Sequence, residues 1–360
     1  MFEQLKPLAA DPILGLASAY QLDQNSQKVD LGAGVYKDER GNTPIMAAVA
    51  QAQRQWLEQE TTKAYSAPAG PEGFNQGMLA LLLGEGHDAL KTHRATSVQT
   101  PGGCGALRIA AGMLNRCREH PRIWVSTPTW ANHIPLLGSA GLELVEYPYY
   151  DSTLHGIHFD AMMSALAQVA AGDLVLLHGC CHNPSGADLT PDQWQSLAAV
   201  FNHRGARPFI DIAYQGLGEG LQADAWGLRY LADSCPELVV AVSCSKNFGL
   251  YRERVGAAMV IAETPVLADT CRGQLLNVAR EIYSMPPSYG GALVDIVLNN
   301  DELAQQWRSE LMDVRQRIVN LRTAFVEQLN GAGAGGQFDY IRAEKGMFSF
   351  LGIAPEQVKR

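Results

Sequence analysis

Apolar positions recur along this chain with two alternating periods. Between residues 45 and 60 they return at helical spacing behind Pro44, and proline is tolerated in a first helical turn. Residues 95–99 read as extended and lead into Gly102, Gly103 and Gly105, after which 106–117 reads as a helix. Short apolar runs predict strands over 122–126, 142–147, 173–178, 208–212 and 238–243. Helical stretches over 130–139, 159–167, 191–203 and 227–233 fall between them. Strand and helix alternating at this cadence predict a mostly parallel sheet with helices on both faces, a three-layer α/β arrangement. Ligands of such sheets gather beyond the carboxyl ends of the strands.

After Asp301 the pattern changes. Trp307, Leu311, Val314, Ile318, Leu321, Phe325 and Leu329 follow one another at spacings of 4, 3, 4, 3, 4 and 4, which is one face of a long helix. Glycines over 331–336 and a strand-like 348–351 come next, which favours a helix joining two domains over a coiled coil. The stretch up to about Thr43, with Pro7, Pro12 and Gly15, reads as an arm, a short helix and a turn-rich segment. At about 150 residues per domain, this length suggests two.

Composition narrows the class. Apolar residues make up 47%, charged residues 18%, and the net charge is -9, a globular composition. The acidic balance disfavours nucleic acid, whose phosphates call for clustered positive charge. No charge-free apolar run approaches the ~20 residues of a membrane helix, and residues 1–11 lack an apolar core behind a basic start. Seven cysteines are too few for a disulfide scaffold. A reducing, cytoplasmic compartment is expected.

Candidate chemistry sits at the strand ends. Lys246, in VVAVSCSKNFG, follows a buried-type strand, where burial would lower its pKa and make a competent amine for a Schiff base. A surface lysine that happens to follow a strand would look the same. Asp211, in PFIDIAY, has only apolar neighbours and needs a partner if buried. The protonated ring nitrogen of a pyridoxal cofactor would be one, and a helix cap or a core histidine another. Tyr214 is placed to reach the phenolic oxygen of such a cofactor. Gly102, Gly103 and Gly105 at a helix start, Ser243, and Arg254 describe an anion cup beside the amine. The glycine spacing is not that of a dinucleotide site. His178, Cys180, Cys181 and His182 invite a metal reading, but adjacent cysteines lack the gap that turns both sulfurs inward, so no metal is expected. Asn183 opens a rigid Asn-Pro-Ser-Gly turn whose amide suits an anionic oxygen, and Trp130 is either a core aromatic or a ring stacked on a flat cofactor.

The stretches LGAGVYKDERGNTP, TPGGCGALR, TPTWANH, HGCCHNPSG, DIAYQG, SKNFGLYRERVG and YSMPPSYG, in that order, resemble the pyridoxal-phosphate aminotransferases of fold type I, in the aspartate/aromatic amino acid group. The resemblance covers nearly the whole chain. It implies a large domain over 45–313, a smaller α/β domain shared between 15–44 and 314–360, and an N-terminal arm over 1–14. It implies transamination between a dicarboxylic amino acid such as aspartate, and also aromatic ones, and 2-oxoglutarate, in two half-reactions. Lys246 would hold the cofactor as an internal aldimine and carry the proton, Asp211 would pair with the pyridine nitrogen, and His133 would stand behind it. Tyr214 and Asn183 would reach the phenolic oxygen, Trp130 would stack on the ring, and Gly102, Gly103, Cys104, Ser243 and Arg254 would hold the phosphate. In a homodimer, Tyr65 would join that phosphate from the neighbouring subunit and Arg280 would grip the distal carboxylate. Gly34, Trp130 and Asn183 would line the substrate side.

Three departures from the family pattern stand out. Cys104 replaces a threonine in the phosphate turn, which predicts one poorer contact. Met285 stands where close relatives carry asparagine. The family continues beyond an EQV-type helix start and there supplies the arginine for the substrate α-carboxylate, a role that neither Arg342 nor Arg360 suits. The sequence therefore reads as a truncated chain with impaired or no turnover. The alternatives are a degenerate, non-catalytic homologue, or another reaction of the same cofactor such as decarboxylation or elimination.

Overall fold

The computed structural model describes residues 1–7, 20–29, 32 and 34–353. The chain divides into two compact units, Met1–Thr43 and Pro44–Arg360. In the first, Lys28 reaches the carbonyls of Tyr20 and Asp23 and lies over the Tyr20 ring. The Asp38 carboxylate accepts the amides of Arg40 and Asn42, closing a tight loop. Phe2–Gln4 form a single 3-10 turn.

The second unit is built on a seven-stranded sheet. Its strands are β1 (Ala95–Pro101), β2 (Arg122–Thr127), β3 (Glu143–Pro148), β4 (Leu174–His178), β5 (Arg207–Ile212), β6 (Leu238–Ser243) and β7 (Val255–Ile261). They lie in the order β1-β7-β6-β5-β4-β2-β3. Only β7 is antiparallel to its neighbours, β1 and β6. All the other strands run in one direction, so their carboxyl ends share an edge. The central strands are buried along their length, as expected of a sheet covered on both faces. On one face pack the helices Gly102–Leu114 and Pro265–Ile282, and on the other Glu72–Leu83, Pro191–Arg204, Trp226–Ser234 and Ser288–Leu298. The architecture is a large, mixed but mostly parallel α/β domain accompanied by a smaller one.

Most expected elements form within a residue or two of their predicted bounds, among them Ala47–Gln59, Phe159–Leu166 and Pro191–Arg204. The last carries Pro191 in its first turn and a Thr190/Gln193 capping box. The segment expected as a helix over 130–139 is helical only over His133–Gly138, and the helix expected from 106 starts at Gly102. The strand expected over 348–351 does not form. That segment is irregular, with Arg322 donating to the carbonyls of Gly346 and Phe348.

The long helix is observed over Asp301–Leu329, capped by Asn300, with Asp301 and Glu302 in its positive first turn. Trp307 and Leu311 are buried, Val314 and Ile318 half-buried, and Leu321 and Phe325 largely exposed, so the apolar stripe docks at its first half. Trp307 donates from its indole to the carbonyl of Asn247 at 2.7 Å and stacks on Phe248. One helix residue thus fixes the backbone immediately after Lys246. Glu310, one turn on, accepts the free amides of Ala47 and Ala48 at the start of another helix.

Backbone packs directly on backbone where β7 passes the turn after β1. A side-chain carbon on Gly256 would sit 2.4 Å from the Val242 carbonyl oxygen and 2.6 Å from the Gly102 carbonyl carbon. Neither neighbour can rotate away. We predict that Gly256→Ala destabilises the fold by about 1–3 kcal/mol and weakens anion binding at the turn, as read from urea midpoints and phosphate titration. An unchanged midpoint would contradict this packing.

Candidate active site

Four strand ends converge on one crevice. β1 leads into Gly102, whose φ of 72° suits glycine. The helix Gly102–Leu114 begins there with no side-chain cap, so its first amides face the crevice. A side chain on Gly102 would collide with the Arg254 guanidinium, at 2.5 Å from Nη2, and one on Gly103 would press on Ser243 at 3.1 Å. The glycines, Ser243 and Arg254 are therefore brought together as the expected anion cup. Arg254 has φ 53° and is steadied by the Tyr251 carbonyl at 3.1 Å. Cys104 is half-buried in the same turn, with the Asn132 amide 3.8 Å from its sulfur.

The carboxylate lies one strand over. Asp211 is buried in β5, opposite His178 at the end of β4. The Nε2 of buried His133 lies 2.8 Å from one of its oxygens. Burial alone would raise the pKa of this carboxyl. The His133 hydrogen bond, with His178 and Lys246 near by, outweighs burial and holds it below its usual value. His133 continues through its Nδ1 to the Thr129 hydroxyl at 2.8 Å, which also meets His178 Nε2 at 3.1 Å. His182 lies tilted against His178, with ring centres 4.1 Å apart, and bonds to Ser126 and Ser185. The sequence reading placed His133 behind Asp211 but missed Thr129 and His178 as the next links. The one available signal was the His178 to His182 spacing at a strand end.

Lys246 follows β6 by three residues and is largely withdrawn from water. Burial lowers its pKa, Asp211 opposes that, and the positive Arg254 adds to the lowering. Its ammonium lies 5.1 Å from the centre of the Tyr214 ring, a cation–π contact. Tyr214 is buried and hydrogen-bonded to the Asn183 side chain, and burial followed by the Asp211 charge raises its pKa. Trp130 is half-buried and its ring stands nearly perpendicular to that of His133, with ring centres 5.2 Å apart. Lys246, Asp211, Tyr214, Asn183, Trp130, His133, Ser243, Arg254 and the glycine turn thus share one crevice at the carboxyl edge of the sheet.

Two other expected residues are exposed to solvent. Tyr65 is 95% exposed. Arg280, in the last turn of its helix, is exposed and bonded to the Ser284 hydroxyl at 2.8 Å. Gly34 belongs to the Met1–Thr43 unit.

An uncapped helix start with an arginine, a buried amine and a histidine-paired carboxylate round one crevice define a fold type I enzyme. The family model for aminotransferase class I and II matches residues 26–360, and the chain belongs to that family. It is 46% identical to an aspartate aminotransferase of Haemophilus influenzae over 360 residues, spanning all of this chain and 91% of that one. It is 43% identical to an aromatic-amino-acid aminotransferase of Paracoccus denitrificans over the same shares. The crystal structure of an aromatic-amino-acid aminotransferase from Burkholderia pseudomallei, covalently bound to pyridoxal phosphate, superposes with a TM-score of 0.97. The two are 40% identical, with 100% of this chain and 90% of that one covered.

The histidines give the fold a pH signature. Burial first, and then His133, push His178 down to about 3, and burial holds His182 well below its usual value. In the unfolded chain both would titrate near ~6.5. Below that pH the unfolded state binds more protons, so stability is complete above ~6.5 and falls as pH drops, by about 1.4 kcal/mol per unit for each such imidazole. We predict that His178→Gln loses less stability than wild type between pH 7 and pH 5, measured from denaturant midpoints. Equal losses would show that His178 is not held neutral.

Proposed function

We propose that this chain is a pyridoxal-phosphate-dependent aminotransferase that exchanges the amino group of aspartate, and also of aromatic amino acids, with 2-oxoglutarate. The observation that carries the reading is the convergence of Lys246, the Asp211–His133 pair and the anion cup at one sheet edge. The donor set fits the cofactor group by group. Free amides after Gly102, the Arg254 guanidinium and the Ser243 hydroxyl suit a phosphate dianion. His133 takes one oxygen of Asp211, which leaves the other for a protonated ring nitrogen. Tyr214 and Asn183 stand where a phenolic oxygen would need donors.

When bound, the cofactor supplies an electron sink for the charge that develops at the substrate Cα. The protein's own residues do the rest. Asp211, kept ionised by His133, holds the proton on the ring nitrogen. Lys246, with its amine made easier to deprotonate by burial, would hold the cofactor and serve as the base that takes the proton from the substrate Cα. Trp130 would stack on the cofactor ring and keep water from it. Gly102, Gly103, Cys104, Ser243 and Arg254 fix the phosphate, and the thiol of Cys104 is a weaker donor than a hydroxyl.

The second substrate contact needs a partner. Tyr65 and Arg280 are exposed in the single chain, which supports a homodimer in which Tyr65 reaches the phosphate and Arg280 the distal carboxylate across the interface. Trp130 and Asn183 would line the substrate side. We assign the arm to 1–14, the large domain to 45–313, and the smaller domain to 15–44 with 314–360. Among the described residues no helix is long and apolar enough to cross a membrane, and we place the protein in the cytoplasm.

Two outcomes are expected. Purified protein given pyridoxal phosphate should develop the cofactor's imine absorbance band and lose it on adding aspartate, whereas Lys246→Ala should do neither. A band that ignores aspartate would mean the cofactor site is intact and the transamination reading wrong. Arg280→Ala should lower kcat/KM for aspartate by roughly 30-fold to 5,000-fold, as loss of a charge-paired contact of about 2–5 kcal/mol implies, while leaving phenylalanine within a few-fold. Equal losses on both substrates would remove Arg280 from the distal-carboxylate role.

A further inference from the structure

Behind the crevice lies a side-chain cluster with no part in the proposed reaction. Cys180 and Cys181 come just after β4. In extended chain, neighbouring side chains point to opposite faces, which is why adjacent cysteines make poor joint ligands. Cys181 departs from that geometry. Its φ is 51°, in the left-handed region, and this re-aims its side chain. Both sulfurs and a carboxylate oxygen of Asp224 consequently lie within 4.8 Å of one another, all three residues buried. Gly218 marks the convergence, since a side-chain carbon there would sit 2.7 Å from Asp224 Oδ1 and 3.1 Å from the Cys181 sulfur.

A second feature points to a cation. A cavity of about 360 Å³ opens onto Cys180 and Asp224, and its charged lining is Asp188, Asp224 and Glu219 against Lys345 alone. Lys345 is itself paired with Glu219 at 2.8 Å at the partly exposed rim. The carboxylate is already aimed. Asp224 Oδ2 accepts the amides of Gly216 and Gly218, and Oδ1 accepts that of Glu219 at 2.7 Å, so the group is fixed while Oδ1 keeps a lone pair.

We propose that Cys180, Cys181 and Asp224 form a binding site for a thiophilic divalent d10 cation, such as zinc or cadmium, reached through this cavity. Two thiolates and a carboxylate suit such an ion, and a water from the cavity completes a tetrahedron. On binding, two S–H bonds break, two metal–sulfur bonds and one metal–oxygen bond form, and two protons leave to solvent. Nothing is oxidised or reduced. With metal–sulfur bonds of ~2.3 Å, tetrahedral sulfurs stand about 3.8 Å apart, so the cluster closes by no more than about 1 Å. The Cys181 thiol now donates weakly to the Tyr214 carbonyl at 3.9 Å. Metal binding removes that contact and so registers at a residue of the crevice. The site itself does not depend on the aminotransferase reading.

The test adds one equivalent of cadmium to the wild-type, cofactor-loaded protein, kept reduced with a phosphine. X-ray absorption at the cadmium edge should show a first shell of two sulfurs with the remainder oxygen, a result that needs no variant. Cys180→Ser and Cys181→Ser, checked as folded by their cofactor absorbance, should each weaken binding by more than the roughly 10–100-fold that changes outside the first shell cost. Cys117→Ser should leave binding unchanged. A shell with one sulfur or none, or equal affinity in wild type and both serine variants, overturns the proposal.

Discussion

A carboxylate taken out of water has to be answered by a positive or proton-donating partner, and the crevice of this protein is organised round that demand. Asp211 sits in a sheet strand with apolar residues before and after it. Desolvation would neutralise it, and the hydrogen bond from His133 is what keeps it ionised. His133 is held in turn by Thr129 and, through it, by His178. His133 and Asp211 are buried and Thr129 and His178 half-buried, so the negative charge persists where it would otherwise be lost. Lys246 lives in the same field with the opposite sign, its charge opposed by burial and Arg254 and favoured by Asp211. Acid, base and anion cup are set by one local dielectric.

The parallel sheet makes the arrangement possible. Strands that share a direction deliver their last residues to a common edge, and the chain leaves that edge through turns of high backbone precision. Gly102 and Gly103 allow Arg254 and Ser243 to approach where a β-carbon would stand. β7 reverses direction and presses Gly256 against the same turn. From the far side, Trp307 on the long helix fixes the backbone just after Lys246. The reactive side chains are thus held by packing that begins several elements away.

Much of this was legible in the sequence, because β-branched runs and strand-end motifs carry strong local signals. The strands ending at His178, Ile212 and Ser243 formed as read, with Asp211 inside one and Lys246 just past another. What was not legible depends on tertiary contact. β7 was overlooked because its Gly-Ala-Ala run has weak strand propensity and gains its stability from the two neighbours it pairs with. The helices Glu72–Leu83 and Ser288–Leu298 carry glycines on close-packed faces, which weakens their sequence signal. The helix at Gly102 starts earlier than its composition suggested, since the positive φ of Gly102 itself makes the turn. The strand expected at 348–351 met no partner strand and was tied to Arg322 instead. Cys181 defeated a spacing rule because one left-handed residue cancels the alternation that the rule assumes.

The central claim is that Lys246 is the amine that carries the cofactor in this crevice, and chemical trapping tests it directly. The protein is incubated with pyridoxal phosphate, reduced with borohydride, digested, and its peptides are mapped by mass spectrometry. The account predicts one phosphopyridoxyl group, on Lys246. A label on a different lysine, or none after reduction, would contradict it.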